Sequence, residues 1–175
     1  MERFRNFDIH FIGLKNGVTV INYDIESPFF GLFEKSPITT GRLSVRLKFD
    51  KKESFFMLNF EVDGIINIAC DRCSDFFDYE IMFDFDMLVK YGEAEDKFKD
   101  EGEVMYIERG VSHFNIAEVI YDYTLINIPI QVIHPNDANG KPKCNPAILE
   151  KLSKNTHNQI DEIDPRWALL NKLKN

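Results

Sequence analysis

Phe56-Met57-Leu58-Asn59-Phe60-Glu61-Val62-Asp63-Gly64-Ile65-Ile66-Asn67-Ile68-Ala69-Cys70 runs straight into Asp71-Arg72-Cys73, and this stretch decides the fold. Phe56, Leu58, Phe60, Val62, Ile66, Ile68 and Cys70 share one side at period two, as a half-buried β-strand requires. Gly64 interrupts that side and predicts a bulge or sharp bend. Beyond the cysteine turn, Phe77, Tyr79, Ile81, Phe83, Phe85, Met87, Val89 and Tyr91 alternate with Asp78, Glu80, Asp84, Asp86 and Lys90. Upstream, Leu43, Val45, Leu47 and Phe49 alternate with Arg42, Ser44, Arg46 and Lys48. The three runs predict a long antiparallel β-meander. Strands of this length twist, so a curled or barrel-like sheet is expected.

Outward from the meander, Phe7, Ile9 and Phe11, then Val18 to Ile25, add one or two strands, and Val104 to Glu108 reads as a short one. Asn115 opens a helix, with Glu118 at the capping-box position and Phe114 placed to staple onto Val119. Ile116, Val119, Ile120 and Tyr123 form its apolar stripe. Ile126, Ile128, Ile130 and Val132 return to period two, with Pro129 confining that strand to an edge or bulge. His134 to Pro142 is a loop on turn chemistry, and Asn145-Pro146 starts a helix through about Leu152. A polar linker, Ser153 to Ile163, leads to a short helix from Asp164-Pro165 carrying Trp167, Leu169, Leu170 and Leu173. The expected class is α+β with two or three short helices. The expected organisation is one domain over 1–152 and a tail over 153–175.

The chain of 175 residues, with sixteen phenylalanines, is long enough for a sizeable core. Met1-Glu2-Arg3-Phe4-Arg5 lacks the apolar run of a secretory signal, and no stretch has the apolar length of a membrane span. Three cysteines fit a reducing cytoplasm better than a disulfide framework. A cytoplasmic protein is expected. Charge is segregated: residues 71–103 carry twelve acids against four bases, which accounts for the entire net charge of −8. Such a segment repels phosphate backbones and attracts basic partners, or serves only as a solvated face and acidic loop (93–103).

Cys70-x₂-Cys73 at a tight turn aims two sulfurs the same way, which is half of a tetrahedral metal site. His134 and Cys144 can supply the other half, although the nine residues between them are not a knuckle spacing. Backbone N–H groups in the turn and the helix following Cys144 both favour thiolates. Three thiolates and an imidazole suit zinc. Reduced thiols without metal are the next reading. A redox pair is the third, because thioredoxin-type C-x-x-C opens a helix rather than closing a strand.

Other chemistry is sparse. His10, His113 and His157 are scattered, and the sequence has no nucleophile elbow, phosphate-binding glycine loop or H-E-x-x-H. Asp78, Glu80, Asp84 and Asp86 can line a cation site, with a solvated strand face as the default. The best basic strip is Arg42, Arg46 and Lys48 with Lys51 and Lys52. Arg166, Lys172 and Lys174 make a weaker patch.

The run Gly64 to Tyr79, with Cys70-Asp71-Arg72-Cys73 closing a strand, resembles the YceD family of bacterial and plastid proteins. So do Asn115-Ile116-Ala117-Glu118-Val119-Ile120-Tyr121, the Ile-Pro segment after it, His134-Pro135 and the late Cys144. Phe11-Ile12-Gly13-Leu14-Lys15-Asn16-Gly17, Phe29-Phe30 and the closing Asp164-Pro165-Arg166-Trp167 are similar too. The resemblance implies a non-enzymatic role in accumulation of large-subunit (23S) ribosomal RNA, hence in ribosome assembly. The implied partner is a large-subunit precursor or a basic ribosomal protein, since the family's bacterial gene commonly neighbours one for a small ribosomal protein. Many members carry a second cysteine pair; here only Cys144 remains, with His134 as its stand-in. An acidic face holding a basic partner joins the two lines of reasoning. The rivals are an RNA-binding module using Arg42, Arg46 and Lys48, and a thiol-redox protein using Cys70 and Cys73.

Overall fold

The computed structural model describes residues 2–92 and 104–157, in two compact units. One comprises the chain up to residue 69 together with 76–132; the other comprises 70–75 and the chain from 133. The acidic loop 93–103 and the expected helix from Asp164 lie outside the described residues.

The first unit is built on the period-two runs. Strands β1 (Asp8–Ile9), β2 (Gly17–Glu26), β3 (Thr40–Lys51), β4 (Phe55–Ala69), β5 (Phe76–Tyr91), β6 (Val104–Ile107) and β7 (Phe114–Asn115) are joined by helices α1 (Ser27–Phe30) and α2 (Ala117–Ile126). Five of the strands form one sheet in the order β2-β3-β4-β5-β6, and β1 pairs separately with β7. The meander β2 to β5 is antiparallel, as expected, but β6 runs parallel to β5, so the sheet is mixed. It stays open. Barrel closure would require β6 to pair with β2, and four residues cannot match ten.

One face of the sheet is buried. Leu43, Val45, Leu47 and Phe49 of β3 lie in register with the inward residues of β4, and α1, α2 and the N-terminal segment cover them. Aromatic contacts dominate: Phe85 stacks on Phe60 at 4.4 Å and on Tyr123 of α2 at 3.7 Å, and Phe33 stacks on Tyr121 at 3.7 Å. Each such side chain contributes about 1.5–3 kcal/mol by leaving water. The opposite face is polar with interspersed apolar side chains.

Two expectations need correction, and one helix boundary moves. Gly64 marks no bulge, because Leu43 and Ile81 face it in an uninterrupted register. Its φ of +156° instead lets β3 approach where a Cβ would stand 2.1 Å from the Arg42 carbonyl. Ile126 to Val132 is not a strand. Ile126 closes α2, Asn127 and Ile128 donate back to Tyr123 and Leu125, and Ile130 points fully into solvent. Period two in so short a run did not outweigh the helix before it. α2 starts one residue later than expected: Ile116 is its N-cap residue and makes no side-chain cap, while Asn115, one position before it, accepts from Ala117 N–H through Oδ1 at 2.9 Å.

In the second unit, residues 70–75 form a turn, 136–142 form another, and α3 (Pro146–His157) follows. The helix extends five residues past Leu152, into what the sequence reads as linker. Among the described residues, no helix is long and apolar enough to cross a membrane.

Candidate metal centre

β4 ends at Ala69 and β5 begins at Phe76, so Cys70 and Cys73 both belong to the turn rather than to strand ends. Cys70 N–H donates to the Asp75 carbonyl at 3.0 Å, and Ser74 N–H returns to the Cys70 carbonyl at 2.8 Å. Ser74 takes the left-handed conformation (φ +62°) that closes this loop. The turn is wound so that Arg72 N–H points at Cys70 Sγ, 3.4 Å away.

The other two donors come from one segment, and its turn chemistry explains how nine intervening residues fit. Asp137 Oδ1 accepts from Asn139 N–H and Lys141 N–H, both at 2.8 Å. Asp137 N–H donates to the Lys141 carbonyl at 2.8 Å, and Gly140 supplies φ +77°. A bridge between Asn136 and Pro142 closes the turn. His134 and Cys144, flanking it, are thereby brought side by side. Asn145 then caps α3 through Ala147 N–H at 3.1 Å, and its amide donates to Asp75 Oδ2 at 3.2 Å. The cap of the helix is thus tied to the cysteine turn.

One donor atom from each of Cys70, Cys73, His134 and Cys144 lies within 4.8 Å of every other. Cys70 Sγ and Cys144 Sγ are 3.8 Å apart, and Cys73 Sγ is 3.4 Å from His134 Nδ1. Ligands about 2.3 Å (sulfur) and about 2.0–2.1 Å (nitrogen) from a tetrahedral metal give edges of about 3.8 Å for S···S and about 3.5 Å for S···N. These two separations fit those edges. They are far from the ~2.05 Å of a disulfide, and all three cysteines are free. Cys70, Cys73 and Cys144 are 1, 5 and 3 % exposed, while His134 is half-buried. Such a quartet can hold one metal ion.

The electrostatics separate the thiols. Burial opposes ionisation of Cys70, but the backbone N–H groups of His134, Arg72 and Cys73, with the His134 side chain, outweigh it and bring the pKa to about 6. Cys144 is pushed up by burial and by its hydrogen bonds to Cys70 and Cys73. The sequence suggests thiolates in both places, favoured by the turn N–H groups at Cys70 and Cys73 and by the following helix at Cys144. At Cys144, burial and then proximity to two other sulfurs override the helix end. The support that sequence reasoning missed is the Asp137 side chain and the bond from Asn145, the expected cap, to Asp75. Signals for both residues were present in the Asp-x-x-Gly turn and the Asn-Pro cap.

The other candidates do not assemble into sites. His10 and His113 are ring neighbours at 5.1 Å, His157 ends α3, and no second set of three such donors clusters among the described residues. The basic strip is largely consumed locally. Arg46 and Lys48 both pair with Glu61, Lys52 pairs with Asp50, and Lys51 donates to the carbonyls of Phe11 and Leu14.

A family model described as large ribosomal RNA subunit accumulation protein YceD matches residues 58–174, two thirds of the chain and all four donors. Comparison with curated proteins gives no match, and neither does comparison with solved structures.

Proposed function

Since the chain belongs to the YceD family, we propose that it is a non-enzymatic factor supporting accumulation of large-subunit ribosomal RNA during ribosome assembly. The family match carries this reading. In it the protein works in the cytoplasm on a large-subunit precursor, through contacts with a basic ribosomal protein rather than through catalysis. Segregation of the negative charge supports protein contacts over RNA contacts, because carboxylates repel a phosphate backbone. The pairing of Arg46 and Lys48 with Glu61 weakens the RNA-binding alternative further.

The metal in this reading is zinc, held by Cys70, Cys73, His134 and Cys144. A closed set of four protein ligands leaves no position for substrate, so zinc here supplies folding free energy and no reaction step. The donor types, their separations and the N–H support around Cys70 favour this over a redox pair. The domain in this reading spans 1–152, with 153–175 as its tail.

The test has two arms. Cells lacking the protein are expected to show a lower ratio of large- to small-subunit ribosomal RNA, restored by the intact gene; an unchanged ratio rejects the assembly role. Protein purified under reducing conditions, without chelator or histidine tag, is expected to carry about one zinc per chain. Loss of that metal in Cys144→Ser and His134→Ala locates it. Three freely titrating thiols and no metal would reject the zinc assignment.

A further inference from the structure

The outward face of the sheet has a composition that the sequence only half discloses. Between Phe76 and Leu88, β5 points Asp78, Glu80, Asp84 and Asp86 outward, with Met82 in the middle. Across the sheet, Met82 faces Asp63 and Glu80 faces Ile65 on β4, and Arg42 stands beyond Ile65 on β3. β2 adds Asp24 and Glu26, which lie far from the acidic segment in sequence and on the same face in the fold. Met82 is 85 % exposed, and Ile65 and Met57 are about half so. An open sheet face therefore presents large apolar side chains among carboxylates that outnumber the bases Arg42, Arg46 and Lys48 of β3, the last two already paired with Glu61. At its end is a cavity of about 560 Å³ whose lining includes Glu26, Arg42, Asp63, Ile65, Asn67 and Asp78.

Exposed methionine and isoleucine in the middle of a sheet face mark a surface that gains by being covered. The charge decides what covers it. A second copy would set carboxylates against carboxylates, and a nucleic acid would set phosphates against them; both are repelled. Outward residues along β5 recur every ~6.8 Å and strands are ~4.8 Å apart, spacings that lysine and arginine side chains of one polypeptide segment can meet. A guanidinium or ammonium group also fits the cavity, where three carboxylates outnumber one arginine.

From this geometry we infer that the outward face of β2–β5 docks a lysine- and arginine-rich polypeptide segment. One basic side chain of the segment sits between Glu26, Asp63 and Asp78, and its apolar side chains lie on Ile65 and Met82. The inference rests on the reading that the protein acts through protein contacts, and it names the surface and the chemistry of the partner.

The test uses the full chain with a fluorescent synthetic peptide of alternating lysine and leucine, a glutamate–leucine peptide and a stripped large-subunit ribosomal RNA fragment as probes. Asp63, Glu80 and Asp84 make no ion pair among the described residues, so Asp63→Asn/Glu80→Gln/Asp84→Asn leaves the fold intact. The lysine peptide is expected to bind, to weaken about tenfold in the triple variant, and to weaken as salt rises. Met82→Ser is expected to weaken it a few-fold, and the glutamate peptide is expected not to bind. Equal affinity of the triple variant for the lysine peptide overturns the inference, as does preferential binding of the RNA fragment or self-association through this face. Expression of the triple variant in cells lacking the protein separates the two readings. Full restoration of ribosomal RNA by a variant that no longer binds the peptide overturns the docking surface alone. A deletion with unchanged ribosomal RNA overturns the assembly role, whatever the peptide does.

Discussion

From β2 to α2 the chain hides phenylalanine, isoleucine, leucine and valine, whereas across 70–75 and 133–154 the only buried residues are Cys70, Cys73 and Cys144. No residue of the second unit belongs to the apolar core cluster among the described residues. The first unit has enough apolar area to outweigh the entropy of ordering its backbone. The second has turns, a capped helix and a donor quartet, and a segment so poor in apolar contacts needs a staple. The comparison teaches that the two regions rest on different interactions, apolar burial in one and turn chemistry around a donor quartet in the other, and are expected to fail separately.

With zinc held as proposed, the largest effect is expected from removing it. Structural zinc sites in small domains contribute roughly 10 kcal/mol or more of apparent binding free energy. Chelation, or Cys144→Ser, is therefore expected to abolish amide-exchange protection over 133–157 while β3, β4 and β5 keep theirs. Simultaneous collapse of both regions would break the comparison. The converse perturbation is Phe49→Ala, which leaves a cavity under β3 and is expected to cost about 3–5 kcal/mol in a denaturant titration. Gly64→Ala should be as severe, since its Cβ has no room beside the Arg42 carbonyl. Both variants are expected to retain the metal for as long as they remain folded.

Next in size, Asp137→Ala removes the acceptor for two backbone N–H groups and loosens the turn that brings His134 to Cys144. Metal affinity is expected to fall about tenfold in a competition titration, with Tm of the first unit unchanged. Asn145→Ala should cost about 1 kcal/mol of helix stability through loss of the α3 cap, visible as faster exchange at Ala147. The smallest effect belongs to Glu61. Its hydrogen bond with Lys48 lowers its pKa against the opposing effect of burial, with the charges of Lys48 and Arg46 adding to the lowering. Its contribution is present above the ordinary carboxylate range and lost as pH falls through the lowered value. Because the group is exposed, Glu61→Gln should barely move the thermal midpoint at physiological salt.

Most of the first unit was legible in the sequence because period two is a strong signal over runs of this length. Strands β3, β4 and β5 have the expected parity at nearly every position, through Gly64 as well. What was not legible depended on partners distant in sequence. The parallel pairing of β6 carries no local mark, and neither does the failure of the sheet to close. Ile126 to Val132 misled because a four-isoleucine-like alternation is ambiguous beside a helix end, where Asn127 and Pro129 are stop signals as well. The four donors and their convergence on one site were legible, but not how the nine residues between His134 and Cys144 allow it. It rests on Asp137, whose side chain compresses the interval that made His134 and Cys144 look too far apart.

The donors also have a chronology. Cys70 and Cys144 are 74 residues apart and Cys73 and His134 are 61 apart, while the β4–β5 hairpin pairs residues that are close in sequence. Local pairings form first and long loops close late, so the hairpin can zip up as soon as it has left the ribosome, holding only two sulfurs. The remaining two donors arrive only after everything before them, α2 included, has been synthesised. In the zinc reading, filling of the quartet is thus a completion mark: a nascent chain interrupted before Cys144 carries a finished hairpin and an incomplete set of donors.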